Sequence, residues 1–252
     1  MTGLFAGFLA GYLGIGGGLV LVPVLSFLFS RDPAIADMAV QMAVATSLST
    51  MLFTSMSSIL SHHKRGAIMW NLVRQMTPGL LAGALLGSFI ADRIGNTALA
   101  YVFGVFALLI GLQMLYGARN LGNRPLPGAP AVSGTGVFIG TISSLLGIGG
   151  GSLTVPWMLW HGQNVQKAIA TAAACGYPIA VAGTLGFILL GKPDTSASTL
   201  GYVNLPALAG VALFSVFGAP LGVAAVHRSS PLLAKRLFAV FLLIVATKML
   251  LR

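Results

Sequence analysis

Charge is what this sequence has least of. Only 7% of its 252 residues are Asp, Glu, Lys or Arg, and glutamate does not occur at all. A soluble domain carries roughly 25% charged residues because its water-facing surface requires them. A fold exposed to water on every side is therefore excluded. The four acidic residues, Asp32, Asp37, Asp92 and Asp194, all fall in or beside the connections between apolar runs. With no acid in mid-run, the sequence offers neither a carboxylate pair for general acid–base catalysis nor the intramembrane carboxylate relay of many pumps. The one cysteine, Cys175, excludes an intrachain disulfide and a cysteine-cluster metal site. His62, His63, His161 and His227 lie at the ends of apolar runs, and His62 and His63 join Lys64 and Arg65 in an interfacial basic cluster. No metal-ligand set, nucleophile–base pair or cofactor motif is present, so the expectation is a protein that is not an enzyme and carries no metal or cofactor.

What is abundant is apolar chain. Hydrophobic residues make up 56% of the sequence and the mean hydropathy is +0.93. At about 20 residues per crossing, the length allows about eight membrane segments, and the first partner is the lipid bilayer. The net charge of +10 comes largely from short connections, as the positive-inside bias requires. A nucleic-acid partner is not expected, since no basic tail or RNA-binding motif accompanies that charge. The stretch from Gly3 onward lacks a basic leader and a cleavage site, and reads as part of the fold.

The chain is duplicated. Gly3-Leu-Phe-Ala-Gly7, Leu13-Gly-Ile-Gly-Gly-Gly18 and Val22-Pro23 recur 133 residues later as Gly136-Val-Phe-Ile-Gly140, Leu146-Gly-Ile-Gly-Gly-Gly151 and Val155-Pro156. Val40-Gln-Met-Ala-Val-Ala-Thr46 recurs after 125 residues as Val165-Gln-Lys-Ala-Ile-Ala-Thr171. Gly83 and Gly87 recur after 135 residues as Gly218 and Gly222, and Phe103 and Phe106 as Phe238 and Phe241. Matches in the same order at nearly constant spacing mark an internal repeat. The expected fold is an all-α polytopic membrane protein of two homologous four-segment repeats, 1–118 and 133–252, joined by a Gly-, Pro- and Asn-rich linker at 119–132. The segments are expected at about 3–29, 38–60, 76–91 and 97–117, then 134–160, 165–190, 201–226 and 232–251.

Equivalent connections carry opposite charge bias. Lys64, Arg65 and Arg74 follow the second segment, whereas only Lys192, balanced by Asp194, follows the sixth. Asp92 and Arg93 follow the third, whereas Arg228, Lys235 and Arg236 follow the seventh. That pattern points to inverted repeats. Inversion needs an odd number of crossings per half, which broken or re-entrant first segments folding back at their Gly-rich runs would supply. Eight plain crossings are the alternative.

A helix starting after Gly16, Gly17 and Gly18 would aim free backbone N–H groups and a positive dipole end into the membrane interior. A second would start after Gly149, Gly150 and Gly151, where Ser152 and Thr154 add hydroxyls. Two such ends make an anion site without a buried cation. The same glycines would also serve close helix packing. Neither run has the Lys-Ser/Thr ending of a nucleotide-binding loop. Thr46, Ser47, Thr50, Thr54, Ser57, Ser58 and Ser61 form a hydroxyl stripe on one helical face, echoed by Thr171 and Cys175 in the second repeat. The stripe would line an anion path or act as helix–helix glue. Gln41 and Gln166, an equivalent pair, could donate amide N–H bonds to an oxyanion or anchor helix ends at the interface.

At these residues the sequence resembles the TauE/SafE family of sulfite and organosulfonate exporters, the 4-toluene sulfonate uptake permease (TSUP) group. The resemblance spans nearly the whole chain. It rests on the paired Gly-Ile-Gly-Gly-Gly … Val-Pro elements, on Val-Gln-x-Ala-x-Ala-Thr in each half, on His62-His-Lys-Arg-Gly66 and on Leu200-Gly-Tyr-Val-Asn-Leu-Pro206. It implies a multi-pass transporter of the inner (plasma) membrane whose ligand is a small sulfur-containing anion. The expectation from another class is a non-transporting assembly or sensor partner, favoured by the lack of a coupling-ion residue.

Overall fold

The computed structural model describes residues 17–116, 124–191, 198–213 and 231–251. They are mostly helical. Helix α1 spans Gly18–Phe29, α2 Ala39–Lys64, α3 Trp70–Tyr116, α4 Ala129–Leu146, α5 Gly151–Trp160, α6 Val165–Leu190 and α7 Pro231–Leu250. A two-stranded antiparallel hairpin, β1 (Thr199–Leu200) and β2 (Val203–Asn204), follows α6. Residues 205–213 are helical again.

Among the described residues, four helices are long and apolar enough to cross a membrane: Ala36–Lys64, Trp70–Leu115, Ala129–Leu146 and Val165–Leu190. The 47 residues of α3 would reach about 70 Å if straight, over twice a hydrocarbon core of about 30 Å. They break at Gly95, whose φ of 75° and ψ of 173° lie outside helical space and in a region open essentially to glycine. The first arm, 70–94, contains the segment expected at 76–91, and the second, 96–116, covers the segment expected at 97–117 up to the last described residue of that stretch. The first arm starts earlier than expected because Asn71, Arg74 and Gln75 interrupt its apolar pattern without interrupting the helix.

Small residues set the packing. Lipid tails are as apolar as leucine, so helices in a bilayer associate through close van der Waals fit rather than hydrophobic exclusion. Gly79, Gly83 and Gly87 lie one per turn along the first arm of α3, against the carbonyls of Ser133, Val137 and Thr141 in α4. Gly136 and Gly140 of α4 lie in turn on the carbonyls of Met76 and Leu80. Two backbones thus run side by side in parallel, with no room for a β-carbon. The second arm of α3 packs on α7, with Gly104 against Leu250 and Gly111 against Leu243.

α2 and α6 pack antiparallel. Leu48 faces Gly183, Ser55 faces Gly176, and the Ser49 Oγ lies 3.5 Å from the Thr184 Oγ1. At one end of the bundle, Asn96 Oδ1 accepts from the Val40 N–H at 2.7 Å and so caps the start of α2. Arg31 and Lys248 both stand over the Phe27 ring there, at 4.4 and 4.0 Å from its centroid. At the other end, the Met69 N–H donates to Thr171 Oγ1 at 3.0 Å, and the Arg124 guanidinium lies over the Trp160 ring at 5.1 Å.

The β1–β2 hairpin occupies the start of the segment expected at 201–226. It is held by two bonds to distant parts of the chain: the Asn204 N–H donates to Thr46 Oγ1 at 3.1 Å, and the Tyr202 hydroxyl donates to Asp92 Oδ1 at 2.7 Å. Tyr202→Phe is expected to cost about 2 kcal/mol, typical of a bond to a charged acceptor, and to speed amide exchange across 198–204. Unchanged exchange would show that the bond does not hold the hairpin.

Candidate functional site

The site is built around the interruption between α4 and α5 and the start of α1. α4 ends at Leu146, where Gly147 takes a left-handed conformation (φ 66°) that a β-carbon would disfavour. After Ile148 and Gly149 the chain re-enters a helix, with Gly150 preceding α5. In the first repeat, Gly17 (φ 72°) precedes α1. The two elements meet. Gly18, the first residue of α1, packs directly on the Gly147 carbonyl and the Ile148 Cα, and Gly147 lies against Val22 and Val44. Contacts of Gly147 with Val44 and of Gly150 with Gly176, which faces Ser55, place the break beside the middle of α2.

Neither helix start has a side-chain cap, and Gly17, Gly18, Gly149 and Gly150 are buried. In α1 the Gly17 carbonyl accepts from Val20 and Leu21, at 3.0 and 2.9 Å; in α5 the Gly150 carbonyl accepts from Leu153 and Thr154, at 3.3 and 2.7 Å. The N–H groups ahead of those bonds are the ones a helix start leaves for a cap, water or ligand. A buried start without a cap is unusual. Its N–H groups and positive dipole end suit an anion.

Hydroxyls without partners collect at the same place. The Oγ atoms of Ser143, Ser144 and Ser152 and the Oγ1 of Thr154 are buried without a hydrogen-bond partner, as is Gln41 Oε1. Five other helical hydroxyls bond to the preceding turn: Ser49 to Ala45, Thr77 to Val73, Thr135 to Ala131, Thr141 to Val137 and Thr247 to Leu243, at 2.7–2.9 Å. The four unpartnered hydroxyls flank the break.

The other candidate residues fall into two groups. Thr46, Ser47, Thr50 and Thr171 are buried, but their hydroxyls have structural partners. Ser47 donates to the Gly147 carbonyl at 2.8 Å and steadies the break. Thr50 bonds to Ser47 O at 2.7 Å, Thr46 receives the hairpin and Thr171 receives Met69. Cys175 is buried with its Sγ 4.0 Å from Met76 Sδ. Gln41 is buried, whereas its equivalent Gln166 is exposed at the start of α6, so the pair does not form one site. Gly16 lies outside the described residues. Gly151 and Ser152 open α5 and are partly exposed. Sequence reasoning passed over Ser143, although its place four residues before Gly147 was a signal. A cavity of about 170 Å³ lined by Val40, Asn96, Thr97, Ala100, Tyr101 and Met249 lies at the start of α2 and is lined by none of the candidates.

Comparison with known proteins gives one consistent result. The profile of the family described as "Sulfite exporter TauE/SafE" matches residues 1–249. A "Probable membrane transporter protein" of Haemophilus influenzae is 33% identical over 256 residues, covering 100% of this chain and 97% of that protein. "Probable membrane transporter protein YunE" of Bacillus subtilis is 28% identical, covering 90% of this chain and 87% of the relative. A similarly described protein of Methanocaldococcus jannaschii is 28% identical, covering 92% and 86%. No solved structure matches significantly.

Proposed function

Because this chain belongs to the sulfite exporter TauE/SafE family of membrane transporters, we propose that it moves a small sulfur-containing anion across the cell's inner membrane. The anion is sulfite, a sulfonate or a related oxyanion. It binds near the bilayer midplane between the starts of α1 and α5 and is passed across by alternating access. The observation that carries this reading is the buried, uncapped start of α1 packed on Gly147 and Ile148, in the break that leads into the uncapped start of α5 at Gly150.

Backbone N–H groups suit a carrier because they attract an anion without the desolvation cost of a buried Lys or Arg, and without holding it too tightly to release. The antiparallel course of the equivalent helices α2 and α6 supports inverted repeats, the architecture in which substrates sit at the repeat interface near the midplane. Arg124, just before α4, reaches Trp160 at the end of α5, which supports a re-entrant course for the pair.

The test is uptake of labelled sulfite into proteoliposomes, with sulfate, thiosulfate, sulfoacetate, taurine and chloride as competitors. Saturable flux, competed by the sulfur oxyanions and not by chloride, is the expected result. Absence of flux under imposed voltage and pH gradients, for sulfite and for each labelled competitor, would overturn the proposal.

A further inference from the structure

The two repeats differ at the start of these helices in backbone and in chemistry. Gly17 is left-handed (φ 72°), whereas Gly150, 133 positions later, is right-handed (φ −52°). The residues 133 positions before Ser152 and Thr154 are Leu19 and Leu21, which have no hydroxyl. The residue 125 positions before Gly176 is Met51. Where the first repeat has a buried methionine, the second has no side chain.

The missing side chain leaves a methyl-sized gap beside the start of α5. A β-carbon at Gly176 would lie 3.9 Å from the Gly150 nitrogen and 3.6 Å from Ser55 Oγ, in ordinary contact with both and clashing with neither. Thr154 is wholly buried. Its Oγ1 has no partner and points toward Gly150, 3.3 Å from where a β-carbon there would stand. It does not bond back to the Gly150 carbonyl, although the equivalent bond is made by threonines at four other helical positions. A buried hydroxyl left without a partner costs free energy and is an anomaly unless a ligand or water completes it.

We infer that the anion is held one-sidedly, in a neutral cradle belonging to the second repeat. The first N–H groups of α5 and the hydroxyl of Thr154 donate to its oxygens on the side of the helix that faces Gly176. The first repeat supplies the start of α1 and an apolar wall. This assignment rests on the transport reading above, and it names the residues that set selectivity within that site: N–H and hydroxyl donors at several angles favour an anion with several oxygens over a spherical halide.

Two variants test it in full-length protein reconstituted with sulfite as the probe. Thr154→Val keeps the shape of the side chain and removes the unpartnered hydroxyl. Gly176→Ala fills the space with one methyl that the surroundings accommodate. Each is expected to lower kcat/KM for sulfite at least about tenfold, the effect of one lost bond to a charged group, while the thermal midpoint holds or, for Thr154→Val, rises. Wild-type flux with both variants transporting normally would overturn the cradle and leave the transport reading standing. Lost flux with a lowered thermal midpoint in both would also overturn it, by assigning these residues a packing role. Absence of wild-type flux for every anion tried would remove the transport reading itself.

Discussion

Gly83→Val is expected to leave no folded, monodisperse protein in detergent. A β-carbon at this position falls on the Val137 carbonyl oxygen and within 2.9 Å of the Thr141 nitrogen, both backbone atoms of a helix that cannot yield locally. Relief requires α3 and α4 to separate along their length, which would also undo the contacts at Gly79, Gly87, Gly136 and Gly140. Overpacking in a soluble core costs about 1–3 kcal/mol where side chains can adjust. Here the obstacle is backbone, and a cost above about 4 kcal/mol is expected, in the range that eliminates marginally stable folds. Size-exclusion profiles of a fluorescent fusion measure it directly. Gly134→Val, at a position on α4 where a β-carbon meets nothing within 4 Å, should behave as wild type. Equal behaviour of the two variants would refute the backbone-contact account.

Gly150→Leu is expected to abolish transport while leaving the fold intact. Gly150 sits at φ −52° and ψ −12°, a conformation any L-residue adopts, so no backbone strain follows. The new β-carbon meets Ile179 Cδ1 at 2.9 Å and Thr154 Oγ1 at 3.3 Å, both ends of side chains that can turn aside. The rest of the leucine then covers the start of α5. Losing two charge-assisted bonds, each worth about 1.5–3 kcal/mol, lowers anion affinity by at least about 100-fold. Sulfite flux together with the thermal midpoint separates this outcome from unfolding. Undiminished flux in a folded Gly150→Leu protein would place the anion elsewhere.

Much of the helical framework could be read from the sequence, because lipid imposes a plain rule on composition. The expected segment at 165–190 coincides with α6, and that at 38–60 lies within four residues of α2 at each end. The run at 134–160 takes in α4 except for its first five residues, 129–133, together with the interruption at Gly147–Gly150 and α5; consecutive glycines are both weak helix formers and free to reverse. The hairpin at Thr199–Asn204 could not be read. Its anchors, Thr46 and Asp92, are over 100 residues away in sequence, and no local pattern encodes such a contact. The hydroxyl stripe of α2 was visible, but the commitments of its members were not. Ser47 and Thr50 carry the same group three residues apart, yet one bonds to a break in the other repeat and the other to its own helix. Gly79, Gly83 and Gly87 likewise announce a packing face by their spacing without saying that α4 is what they meet.

The fit of α3 on α4 reaches beyond stability. The first arm of α3 comes from the first half of the chain and α4 from the second, and their backbones touch over at least three turns. Such a contact slides poorly, since each glycine fits only the carbonyl it faces. The pair is therefore expected to move as one body, and under the proposed alternating access the rocking seam would not follow the boundary between the two sequence repeats. A crosslink between residues of α3 and α4 should leave turnover intact, whereas one between two helices of the same repeat can lock the carrier in place.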